Sequence, residues 1–143
     1  MNIKIICIGK LPDDLKKIED KYKKRIKFYS KFEIIELKEK NNKNKKIQIK
    51  DETNDILKHI SKSEKVFLFS LLGKNLSSVG FSKIFNQSNI AFIIGGSNGV
   101  DESLFKEKIK VSEMTFPHGL FRIMSLEQIF RSLNIKNGGK YHK

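Results

Sequence analysis

The sequence holds a single cysteine, Cys7, among its 143 residues. No disulfide can form within the chain, so a stapled secreted scaffold is excluded and a cytoplasmic location is expected. Cys7 lies inside the apolar run "NIKIICIG" (2–9) and reads as a buried structural thiol rather than a nucleophile. No stretch approaches the roughly 20 apolar residues that a membrane helix needs. Met1 leads straight into that short run, and no secretory leader is expected. The three histidines, His59, His118 and His142, are spread along the chain and share no metal-ligand spacing with one another or with Cys7, so no metal is expected. Acids are scarce: 16 against 29 basic residues, a formal net charge of +13. Abundant Lys, Asn and Ile suggest AT-rich coding, which explains lysine in place of arginine. It does not explain the shortage of acids, because glutamate codons tolerate the same bias. The surplus points to a polyanionic partner, nucleic acid first, although charge alone does not separate RNA from DNA or from a membrane surface.

What is present alternates strand-like and helix-like runs. "NIKIICIG" is β-branched, short and stopped by Gly9, as a buried strand is. Pro12, Asp13 and Asp14 open a helix with Leu15, Ile18, Tyr22, Ile26 and Tyr29 on one face. "FEIIEL" (32–37) predicts a second strand. "KEKNNKNKKIQIK" (38–50) is basic and low in complexity, and predicts a mobile loop that is either RNA-facing or a solvated insertion. A helix over 51–61 should turn Ile56, Leu57 and Ile60 inward. "KVFLFSLL" (65–72) predicts a third strand, with Ser77 or Ser78 capping a short helix through Phe85. "IAFIIGG" (90–96) predicts a fourth, Asp101 caps another short helix, and "IKVSEMTF" (109–116) predicts a brief fifth strand with a loop. Pro117 starts a last helix to about Asn134, and 135–143 form a polar tail. The pattern predicts one α/β domain over 1–143, with a mostly parallel sheet and helices on both faces. Such a sheet binds its ligand outside the carboxyl ends of its strands, where the loops after Leu72, after Ile94 and around 111–116 emerge.

The stretch "AFIIGGSNGV" (91–100) runs from strand into glycine loop. It lacks the lysine of a nucleoside-triphosphate loop and the spacing of a dinucleotide fingerprint. Paired Gly95 and Gly96 would let main chain approach a flat ligand closely, which suits an adenine-bearing ligand without phosphates; a plain tight turn is the alternative. The last helix carries Leu120, Phe121, Ile123, Met124, Leu126, Ile129, Phe130 and Leu133 on nearly all sides, which implies burial against a second subunit. Two of the three arginines, Arg122 and Arg131, lie on it. They are candidates for bidentate contacts to RNA phosphate or to carboxylate, against the alternative of an ion pair with Glu127 or a neighbour.

"FIIGGSNGV", "VSEMTFPHGLFRIMSLEQIFRSLNI" and the terminal "YHK", together with "LFSLLGKNLSS", "IKIICIGK" and "YKKRI", resemble the ribosomal RNA large subunit methyltransferase H family of SPOUT methyltransferases across essentially the whole chain. The resemblance implies a homodimer with a C-terminal trefoil knot. It also implies S-adenosylmethionine-dependent methylation of N3 of a pseudouridine in large-subunit rRNA within the ribosome, in the hairpin facing the small subunit, with neither DNA nor membrane as partner. It places S-adenosylmethionine against Phe69, Gly95, Gly96 and the segment Val111, Ser112, Glu113, Met114, Thr115 and Phe116. Two departures stand out: "FSLL" before Gly73 has no acid, and "PHGL" has a glycine where bulkier residues are usual.

Transfer to N3 requires loss of the N3 proton, so a base could add to the effect of positioning. His118, at a helix start, and His142, in the tail, are the candidates; Tyr141 could stack on a flipped-out base. Lys140 and Lys143 of the tail join Arg122 and Arg131 as candidate RNA contacts. His59 reads as merely exposed. A non-catalytic RNA-binding domain of the same fold and a flavodoxin-like nucleotide binder are the competing readings.

Overall fold

A computed structural model describes residues 1–143. The β-branched runs form a five-stranded, wholly parallel sheet: β1 (Asn2–Ile8), β2 (Lys31–Leu37), β3 (Lys65–Asn75), β4 (Asn89–Ile94) and β5 (Lys108–Lys110), in the order β2-β1-β4-β3-β5. Four longer helical elements cover it: α1 (Asp13–Lys27), α2 (Lys45–Leu57), α3 (Ser78–Ser82) and α4 (His118–Lys136). Because successive side chains of a strand point to opposite faces, β1 splits between two cores. Ile3, Ile5 and Cys7 join α1, α3 and α4 on one side, with Phe67, Phe92, Phe81, Phe85, Leu126 and Ile129. Ile6 and Ile8 join Ile56 of α2 on the other, with Leu68, Ile93 and Phe105. Helices thus lie on both faces, three against one. No helix is long and apolar enough to cross a membrane.

Several boundaries differ from the sequence reading. The basic stretch 38–50 is not all loop: α2 begins at Lys45, and the Asn44 side chain accepts the Lys46 N–H as its cap. The inward face of this half of α2 is polar, with Gln48, Glu52 and Thr53 buried, which is why hydrophobic periodicity does not announce it. Leu57, expected inward, is exposed, and so is Ile18 of α1. Strand β3 runs on to Asn75 through an irregularity between Phe69 and Lys74, and pairs with β5 on both sides of it. This second passage needs Gly73, since a Cβ there would stand 2.5 Å from the Ile109 nitrogen. The strand part of 109–116 shrinks to Lys108–Lys110; the rest is loop. Ser77 caps α3 through the Gly80 N–H, and Asp101 caps a single 3-10 turn, Glu102–Leu104. The glycine of "PHGL" lets the start of α4 approach α1: a Cβ on Gly119 would lie 2.9 Å from a Leu15 methyl.

Candidate functional site

At the carboxyl ends of β3, β4 and β5 the three anticipated loops enclose a cleft of about 580 Å³. That is the size of an ordinary small-molecule site. Residues 68–72, the glycine loop with Val100 and Glu102, and Ile109–Ser112 with Met114–Phe116 form its walls; His118 and Phe121 of α4 close it. Phe69, Gly95, Gly96, Val111, Ser112, Met114, Thr115 and Phe116 all line it. Glu113 does not: it points outward, 77% exposed, paired with Lys110 at 2.6 Å.

The two glycines line the cleft and are also required by the protein's own packing. A Cβ on Gly95 would approach Val100 to 3.0 Å, and one on Gly96 would meet Glu52 Oε1 at 2.8 Å and Ile8 at 3.0 Å. The tight turn raised by the sequence is thus observed, and its outer side is main chain facing the cleft. Polar residues of α2 hold this turn. Asn98 donates to Gln48 Oε1 at 3.1 Å, and the Asp101 N–H donates to Thr53 Oγ1 at 3.0 Å. Glu52, fully buried, accepts the Lys40 N–H at 2.8 Å and Gln48 Nε2 at 3.2 Å through one oxygen.

Glu102 is the site residue that sequence reading missed. It is the only carboxylate lining the cleft, and the Ser70 hydroxyl donates to it. No local motif marks it; only the fold carries the turn after β4 alongside β3. The acid absent from "FSLL" is thus matched by one reaching the same cleft from another loop.

His118 sits at the cleft wall with Nε2 2.7 Å from the Ile8 carbonyl. An Nε2–H donating there leaves Nδ1 as an acceptor in the neutral ring. Gly9, at φ +95°, turns the chain directly after that carbonyl.

Arg122 corrects the sequence reading of an RNA contact. It is 2% exposed, within 2.7 Å of Glu19 and donating to Glu36 at 2.8 Å, with the Gly9 carbonyl at 3.4 Å. It ties the first turn of α4 to α1, β2 and the end of β1, and no RNA can reach it. Beside it, burial pushes the Cys7 thiol up to about 12, against the opposing pull of Arg122, so Cys7 is inert at neutral pH.

The tail forms a separate cluster on the far part of α4. Tyr141 stacks edge-on against Phe130 at 4.8 Å and donates its hydroxyl to Glu127 at 3.0 Å; its N–H donates to Asn134. Arg131 donates to Glu127 at 3.0 Å and to His142 Nδ1 at 3.2 Å, and its guanidinium lies 4.8 Å over the Tyr141 ring. Its ion pair with Glu127 is the alternative the sequence had left open. Burial, then the Glu127 bond, push the Tyr141 hydroxyl up to about 12, so it stays protonated and acts as donor and ring, not as base. Lys140 and Lys143 are exposed. From His118 to Arg131 is about 20 Å along the helix. Neither Tyr141 nor His142 lines the cleft of its own subunit. His59 is exposed and lies outside the cleft.

A parallel sheet with a glycine-walled cleft at its carboxyl edge and a terminal helix closing it defines a class, and comparison supplies its name. A family model described as "Predicted SPOUT methyltransferase" matches residues 1–142, and the chain belongs to that family. Relatives share its full length. It is 52% identical to the ribosomal RNA large subunit methyltransferase H of Mycoplasmopsis synoviae (strain 53), over 100% of both chains. Identity is 48% to the protein of the same name from Mycoplasma mobile, again over 100% of both. It is 39% to that of Caldicellulosiruptor saccharolyticus, over 99% of both.

Proposed function

We propose that this chain is a ribosomal RNA large subunit methyltransferase that uses S-adenosylmethionine to methylate N3 of a pseudouridine in the hairpin facing the small subunit. It would act in the cytoplasm on the ribosome. The single observation that carries the reading is the cleft itself. It offers main chain, apolar side chains and one carboxylate, Glu102, but no cation free for a phosphate, since Lys110 is engaged by Glu113. The glycine loop leads into a 3-10 turn of three residues rather than a long helix, so it has no strong dipole for a phosphate either. That disfavours the flavodoxin-like alternative. A cationic, phosphate-free ligand fits this donor set. Phe69, Gly95, Gly96, Val111–Ser112, Met114–Phe116 and Glu102 are the residues that would hold it.

When bound, the sulfonium supplies an already activated methyl group. The chain's own work is placement, exclusion of water and disposal of the N3 proton. His118 offers its Nδ1 lone pair at the cleft wall. The tail supplies a stacking ring in Tyr141 and the imidazole of His142, whose Nδ1 accepts from Arg131 and would have to be released to take a proton; because neither residue lines its own cleft, His142 and Tyr141 would complete the cleft of a second copy. A homodimer is supported by the apolar side chains left exposed at the cleft, Leu71, Leu72 and Met114, and by exposed Leu120 on α4. A trefoil knot belongs to the same reading. Calorimetry with S-adenosylmethionine, FMN and ATP, followed by methylation of purified ribosomes and mapping of the product, tests the proposal. Tight S-adenosylmethionine binding with a single modified pseudouridine is expected. Binding of FMN or ATP in its place overturns the cofactor, and S-adenosylmethionine binding without any methylated nucleotide would leave the non-catalytic RNA-binding reading.

A further inference from the structure

We propose that the carboxyl-terminal end of α1 is an rRNA-docking surface, in which Lys24, Lys27 and neighbouring cations grip phosphates while Phe28 stacks on an unpaired base. The inference rests on the functional reading above and extends it to a surface that neither the cleft nor the tail accounts for.

The last turns of α1 and the start of β2 carry Lys21, Lys23, Lys24, Arg25, Lys27 and Lys31. None of them forms an ion pair, as is true of most lysines of this chain; what sets this patch apart is their concentration at one helix end. Two or three basic residues at a helix end are explained by the macrodipole. The dipole does not explain Phe28. At 84% exposure it is more open to water than any other large hydrophobic residue of the chain. It is not loose: Tyr29 holds it edge-on at 5.1 Å, leaving the ring presented outward among cations. An aromatic face set among unpaired cations is what single-stranded nucleic acid binds, the ring taking a base and the ammonium groups taking the backbone. A lone ring with no apolar stripe beside it is poorly suited to a lipid surface, which needs a broad buried face.

The surface is continuous with the tail. The Arg25 guanidinium lies 5.3 Å over the Phe130 ring, whose partner at 4.8 Å is Tyr141. Asn134 donates to the Tyr29 hydroxyl at 3.1 Å and accepts the Tyr141 N–H. The cations of α1 therefore flank the tail with its Lys140 and Lys143. If the tail of one subunit serves the cleft of the other, the RNA strand leading to the target nucleotide crosses α1 of the subunit that lends the tail.

The test uses the full-length protein and purified ribosomes. Lys24→Ala with Lys27→Ala should raise KM for ribosomes and lower the slope of log affinity against log salt by about 1.4 to 1.8, the value for two lost phosphate contacts. Phe28→Ala should weaken ribosome binding about 5- to 150-fold, the range for one stacked base, while Phe28→Tyr retains it. S-adenosylmethionine affinity and the melting temperature should stay at wild-type values, since all three side chains are exposed. An unchanged KM and salt slope in the double variant, or identical behaviour of Phe28→Ala and Phe28→Tyr, overturns the docking surface. Failure of the unaltered protein to methylate large-subunit rRNA overturns the functional reading instead.

Discussion

Gly96→Ala tests the account of the glycine loop most directly. The backbone of Gly96 has no positive φ, so alanine meets no conformational penalty there. Space is the whole issue. The new methyl would lie 2.8 Å from Glu52 Oε1 and 3.0 Å from Ile8 Cγ2. Neither neighbour can retreat easily. Glu52 is fully buried and anchored by the Lys40 N–H at 2.8 Å, and Ile8 lies 1% exposed in the sheet. Overpacking of this kind costs about 1–3 kcal/mol. For a domain of this size that is a fall of about 3–12 °C in melting temperature. The only direction open to the loop is outward, into the cleft, so S-adenosylmethionine affinity should fall together with stability. Gly99→Ala is the counterpart: nothing lies within 4 Å, but φ is +79°. It should cost about 1 kcal/mol through the backbone alone. Thermal melts and calorimetry on both variants decide the matter. A Gly96→Ala protein that melts and binds like wild type would refute the claim that packing from behind dictates this glycine.

Arg122→Met should destabilise by about 3 kcal/mol in urea unfolding, the lower end for breaking a buried pair because Glu36 keeps partial contact with water; unchanged stability would remove the triad's structural role. Cys7 links stability to alkaline pH. Its folded pKa is raised from 9.0 to about 12, so its contribution is intact below pH 9 and lost as pH climbs toward 12. Denaturation at pH 8, 9.5 and 10.5 should show a decline that Cys7→Ala flattens relative to its own value at pH 8; parallel curves would contradict the burial argument. His142→Ala should lower turnover far more than S-adenosylmethionine affinity, read by single-turnover methylation beside calorimetry, and equal loss of both would count against a role for the tail in the reacting site.

Much of this was legible in the chain. The strands announce themselves because a parallel sheet covered on both faces needs continuous β-branched runs, and "NIKIICI" and "NIAFII" are such runs. The cleft-forming loops follow from the same logic, since ligands gather where parallel strands end. The first half of α2 was not legible, because its buried face is Gln48, Glu52 and Thr53 and its exposed face is lysine, a pattern that reads as loop. Nor was the division of labour between the arginines. Arg122 and Arg131 sit nine residues apart on one helix and look alike in sequence, yet one is sealed among carboxylates and the other braces the tail.

By itself the sequence determined the class of fold, the lack of a phosphate-loop motif in the glycine loop and the chain's own surplus of positive charge. Each of these is a local property: hydropathy period, absent side chains, net charge. Only the tertiary structure decided that Glu102 shares a cleft with Phe69, that Arg122 is withheld from solvent, and that Tyr141 and His142 pack on α4 outside the cleft of their own subunit. Those are relations between segments distant in sequence, set by how strands cross and helices pack, and no window of neighbouring residues contains them.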